Sequence, residues 1–219
     1  MESHPAPTPT TAPTGADRAA IGEQLGRMPR GLRSIAHRCP CGLPDVVETA
    51  PRLEDGTPFP TLYYLTCPRA ASAIGTLESD GVMKEMNERL ARDEELAAAY
   101  RAAHEDYIGR RDSIEVLQGF PSAGGMPDRV KCLHVLVAHS LAAGPGVNPL
   151  GDEAVAMLPQ WWRKGPCAGH GRGAADVADA EETAAAEKAA AAEEAVAAEE
   201  AVAAAETAGA EETAEGDAQ

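Results

Sequence analysis

The sequence predicts an α+β fold, with a small antiparallel sheet of two to three strands packed against four to five helices and a disordered tail at each end. Three features carry that expectation. Segments rich in Val, Tyr, Thr and Leu lie between residues 44 and 68 and are punctuated by Pro and Gly. Beyond Pro68, apolar residues recur at the period of a helix. Around residue 135 a stretch is apolar around nearly its whole circumference, which suits a central helix.

Taken in order, residues 1–18 form a Pro/Thr/Ala-rich tail whose composition cannot build a core. A single α+β domain is expected over residues 19–168, opening with a short helix in "AIGEQLGRMPRGL" that ends before Pro29. The segments "PDVVETAP" and "TPFPTLYYLTCP" flank Asp55-Gly56, a dipeptide that favours turns with positive φ, and they read as antiparallel strands. Pro58, Pro60 and Pro68 limit their ends. In "RAASAIGTLESDGVMKEMNERLARD" the residues Ile74, Leu77, Val82, Met83, Met86 and Leu90 follow helical spacing, with a break near Gly81. Asp93 suits the N-cap of the next helix, whose stripe is Leu96, Tyr100, Ala103, Tyr107, Ile114 and Leu117. A loop over 119–125 leads into the core helix, expected over 127–143 and stopped by "GPGVNPLG". Asp152 then caps a last helix reaching Pro159 and the Trp161-Trp162 pair.

Charge is distributed unevenly. Of the formal net charge of −16, residues 174–219 carry −13, from 14 acidic residues and one Lys. They form an acidic Ala/Glu-rich tail with three Val as its largest apolar residues, too few for a core. The rest of the chain is nearly neutral, so the basic footprint of a nucleic-acid binder is missing. The N-terminal stretch has neither basic flank nor apolar run, and "CLHVLVAHSLAA" is too short to span a bilayer, which together suggest a cytoplasmic protein. In that setting the five Cys are expected to be free thiols or metal ligands rather than disulfides.

Three constellations carry chemistry. The first is "SAGGMPDRVK", where flexible Gly precede a helix start. Ser122, Gly124, Gly125, Arg129 and Lys131 are anion-binding candidates there, although Asp128 opposes an anion and the spacing matches neither a P-loop nor a dinucleotide fingerprint. The second is the cysteine set: Cys39, Cys41 and Cys67, with Cys167 or His37 completing the group, as ligands of a structural zinc ion. Separate small buried thiols are the plainer reading of the same residues. The third is catalytic: Cys132 as a nucleophile, with His104 (beside Glu105), His134 or His139 as acid/base. On a helix His134 and His139 point to different sides, so they cannot share one ion, and each is also readable as a satisfied core histidine.

The segments "RCPCGLPDVVETAPRLEDGTPFPTLYYLTCPR", "AAYRAAHEDYI" and "SAGGMPDRVKCLHVLVAHSLAAGPGVNPLGDEA" resemble an actinobacterial family known as a domain of unknown function, the five-hundred-and-first so numbered. The resemblance covers about residues 25–165 and leaves out both tails. It implies a bacterial cytoplasmic protein and brings no established fold, activity or cofactor. The chain is therefore expected to be a non-enzymatic binding or regulatory module with a protein partner, stabilised by a metal such as zinc. The alternative is a small enzyme that acts on an anionic or phosphorylated substrate through the 122–131 loop-helix and a histidine.

Overall fold

The computed structural model describes residues 10–168 and confirms the α+β class, with a three-stranded antiparallel sheet and six helices among the described residues. The strands are β1 (Leu32–Arg38), β2 (Pro44–Thr49) and β3 (Tyr63–Leu65), in that spatial order. β2 pairs Val46 with Leu65 and Val47 with Tyr64 on one side and Val47 with Ile35 on the other. As the central strand it is buried on both faces, which is why two Val stand side by side in it. Val46 belongs to the main core, while Val47 joins Ile35 and Ile21 in a second cluster on the opposite face. β1 was the strand without its own sequence signal: "LRSIAHR" breaks alternation with Ser, His and Arg, and register irregularities interrupt its ladder.

Helix α1 (Gly15–Leu25) covers that second face through Ile21. It starts earlier than Ala19, because Thr14 and Asp17 make a reciprocal capping box that the sequence reading passed over. Thr11 exchanges two backbone hydrogen bonds with Ile35, so part of the stretch expected to be a disordered tail lies along β1. Asp17 is doubly hydrogen-bonded by Arg38 of β1, and that guanidinium holds its carboxyl well below the usual carboxylate range. Residues 1–9 and the acidic tail over 174–219 lie outside the described residues.

The other face of the sheet carries α2 (Pro68–Ser79), α3 (Val82–Leu90), α4 (Glu94–Asp112), α5 (Leu133–Ala143) and α6 (Pro149–Met157). Gly81 separates α2 from α3 with φ 87°, and Asp93 caps α4 by accepting from the Leu96 N–H, both as expected. Ile114 and Leu117 fall beyond the end of α4, whose buried stripe is Tyr100, Ala103, Tyr107 and Arg111. α5 is the central helix: every residue from Leu136 to Ala142 is buried, and it packs on β3, α2 and α6. Gly151 allows the closest approach of α6, since a Cβ there would meet the Leu136 carbonyl.

Two boundaries differ from expectation. The central helix begins at Leu133 rather than 127. Before it, Asn87 of α3 takes both the N–H and the carbonyl of Val130, at 2.8 and 2.9 Å, and the Lys131 N–H goes to Gly124. Those bonds keep residues 129–132 out of the helix. The last helix is capped by Asn148, which accepts from the Gly151 N–H, while Asp152 sits in the first turn and accepts from Ser140 and the Gly146 N–H. No described helix is long and apolar enough to cross a membrane.

Candidate functional site

The start of α5 is where the chemistry collects. Cys132 is its N-cap residue but makes no side-chain cap. The missing acceptor comes from another element: Glu78, in the last turn of α2, accepts from the Leu133 N–H at 2.7 Å. Glu78 reaches this point because Ile74 and Ala70, one and two turns earlier on the same side of α2, are buried in the core against which α5 also packs. The same carboxylate oxygen lies 3.3 Å from His134 Nδ1. The neighbouring Cys132 thiol first, then the Glu78 charge, raises the His134 pKa against the opposing effect of burial.

One ligand atom from each of Glu78, Cys132 and His134 lies within 4.8 Å of the other two. Ligands around a tetrahedral ion with bonds of 2.0–2.3 Å stand roughly 3.3–3.8 Å apart. All three residues are half-buried, so the group can be reached from solvent yet is shielded on one side. The Gly124–Gly125 loop passes close to the Cys132 carbonyl. Gly124, at φ 61°, lies so near Val135 that a Cβ would sit 3.1 Å from its side chain.

The loop expected to bind an anion is thus beside the centre, but its backbone donors are largely engaged. Met126 N–H goes to Ala123, Arg129 N–H to Gly125, Lys131 N–H to Gly124, and Leu133 N–H to Glu78. The negative charge at the helix N-terminus is the protein's own. Ser122, Arg129 and Lys131 are exposed.

The other histidines take different roles. His139 is fully buried, with Nε2 2.9 Å from Asp106 Oδ2 and Nδ1 3.3 Å from Asn148 Nδ2. The Gly151 N–H donates to Asn148 Oδ1, which turns the Asn148 NH2 toward His139; its Nδ1 is then the acceptor and Nε2–H donates to Asp106. Burial lowers the His139 pKa, and a second proton would oppose the Asn148 donor. Both ring nitrogens are occupied inside the core, between the rings of Tyr63 and Tyr107. His104, on α4, is half-buried near Asp128, and burial lowers its pKa too.

Cys39, Cys41, Cys67 and Cys167, expected as zinc ligands, are free thiols, with Cys39 and Cys41 in the β1–β2 turn, Cys67 after β3 and Cys167 after α6. Among the described residues, Glu78, Cys132 and His134 are the group of three or more metal-type ligands within 4.8 Å. His37 is instead 2.7 Å from Asp45, which is fully buried. Cys132 and His134 were named from sequence. Glu78 was missed, since an acidic residue late in an amphipathic helix is ordinary and no local pattern ties it to a helix 55 residues on.

A family model described as a protein of unknown function (DUF501) matches residues 35–156, more than half of the chain. That span takes in the sheet from Ile35 of β1 onward together with Glu78, Cys132 and His134, and leaves out α1 and Cys167. No curated protein and no solved structure matches the chain.

Proposed function

We propose, on the premise that this chain belongs to the DUF501 family, that it is a metal-binding module whose centre is Glu78, Cys132 and His134. The observation that carries the reading is the convergence of a carboxylate, a thiol and an imidazole from two helices far apart in sequence. They are half-buried and mutually within ligand reach. Such a mixed set suits a zinc-class ion, and a carboxylate with a thiolate balances its charge. The Leu133 N–H fixes the Glu78 carboxylate, the kind of outer hydrogen bond that orients a metal ligand. Glu78, Cys132 and His134 would hold the ion, which would supply Lewis-acid activation of a water or a bound molecule; metal-assisted hydrolysis is the reaction class this favours. His139 braces the core through Asp106 rather than meet a substrate, because it is fully buried.

The test is a Co2+ titration of the EDTA-treated full chain, followed by absorption. One equivalent should give a thiolate-to-cobalt charge-transfer band that Zn2+ displaces. Cys132→Ser and His134→Ala should each weaken or abolish it with circular dichroism unchanged, while Cys39→Ser and Cys41→Ser should leave it. No band, or a band that survives Cys132→Ser and disappears with Cys39→Ser, would sink the proposal.

A further inference from the structure

A second meeting of nucleophilic side chains lies at the opposite end of α2. Cys67 is the N-cap residue of that helix, and its thiol is buried at the point where β3 ends. The chain returns to it after α6. Arg69, in the first turn of α2, donates through Nη1 to the Gly165 carbonyl at 2.7 Å and ties down the segment that carries Cys167. From the other side, Gln24 of α1 donates through Nε2 to the Pro44 carbonyl at 2.7 Å and to Cys167 Sγ at 3.2 Å. Thr66, next to Cys67, donates through Oγ1 to the same Pro44 carbonyl at 3.3 Å, so these anchors bring the Cys167 and Cys67 segments side by side.

The partners are unlike each other. Cys167 is half-buried and therefore open to a reagent, whereas Cys67 is 1% exposed. Hydrogen bonds from the Cys67 thiol and Gln24, with the Arg69 charge, bring the Cys167 thiol down to about 6. The same shared hydrogen bond and burial push Cys67 up. An accessible thiolate beside a shielded thiol is the division of labour of an attacking and a resolving cysteine.

We propose that Cys67 and Cys167 form a redox-active dithiol that exchanges with low-molecular-weight disulfides. The Cys167 thiolate attacks one sulfur of the disulfide; a mixed disulfide forms, the original S–S bond breaks, and one thiolate leaves. Cys67 then gives up its proton to that thiolate and attacks the Cys167 sulfur, which forms the Cys67–Cys167 bond and expels the second thiolate. Two protein thiols are oxidised and one small disulfide is reduced to two thiols. The closed form ties the 161–168 segment covalently to the end of β3, and with it the Trp161–Trp162 pair.

The experiment uses the full reduced chain in buffers of graded oxidised and reduced glutathione, quenched with an alkylating agent and mapped by peptide mass spectrometry. The expected products are a Cys67–Cys167 cross-linked peptide in the native chain and complete loss of that peptide in Cys167→Ser. In Cys67→Ser, a glutathione adduct should accumulate on Cys167, roughly ten-fold or more above the native chain, because nothing resolves it. A native chain that stays unlinked even in fully oxidised glutathione overturns the proposal. So does a Cys67→Ser chain without the adduct, or release of a bound metal ion that had protected both thiols.

Discussion

Replacing Tyr107 by Phe removes one oxygen from the centre of the protein and tests how the sheet is fastened to α4. The Tyr107 hydroxyl accepts from the Leu62 N–H at 2.7 Å. Tyr107 is 0% exposed and Leu62 1%, so water cannot replace the lost acceptor. The ring itself keeps its edge-to-face packing on Tyr63 and His139, at 5.9 and 5.2 Å. The cost is therefore that of one orphaned buried backbone donor, about 1–3 kcal/mol. In a domain of this size each kcal/mol moves Tm by about 2–4 °C, so scanning calorimetry should show a fall of roughly 2–12 °C. Tyr64→Phe is the control, because Tyr64 is half-buried and should change stability by no more than about 0.5 kcal/mol. Equal melting of the two variants would refute the claim that this hydroxyl anchors the start of β3.

Other substitutions probe the central helix. Gly151→Ala places a methyl against the Leu136 carbonyl, so α6 must shift from α5; a loss of about 1–3 kcal/mol in urea unfolding is expected, and native-like stability would mean the helices are not in close contact. Glu78→Ala removes the only acceptor for the Leu133 N–H at the start of α5 and should cost about 0.5–2 kcal/mol even without metal, read as a lower urea midpoint in EDTA; no change would mean that Glu78 is no cap. Acidification should weaken the fold through His139. Its native pKa is lowered from 6.5 by burial, so the unfolded chain takes up the proton first; the stability is complete above about pH 6.5 and is lost as pH falls toward the native value. His139→Gln, which keeps a donor for Asp106 but does not titrate there, should show a smaller drop in urea midpoint between pH 7 and 5.5 than the native chain, and an identical drop would contradict the assignment.

Much of the architecture is legible in the residues because it is local. The Gly81 break, the Asp93 cap and the all-round apolarity of α5 are properties of a few neighbouring side chains, and the structure keeps all three. The Asp55-Gly56 turn is as local: Gly56 takes φ 84° and its N–H bonds Leu53. β1 escaped because its pairing with β2 is irregular and its side chains serve two cores. The start of α5 moved from 127 to 133 because Asn87, 43 residues away, takes the Val130 backbone out of the helix.

The sequence by itself determined the α+β class, the identity of the central helix and the presence on it of Cys132 and His134. Tertiary structure alone decided which partners those groups meet: Glu78 for His134, Asp106 and Asn148 for His139, Cys167 for Cys67. The reason is the range of the forces involved. Periodicity and capping act over one or two helical turns and are written in adjacent residues. A hydrogen bond between side chains 33 or 56 residues apart exists only where packing of whole helices brings them within about 3 Å, and no local pattern encodes that.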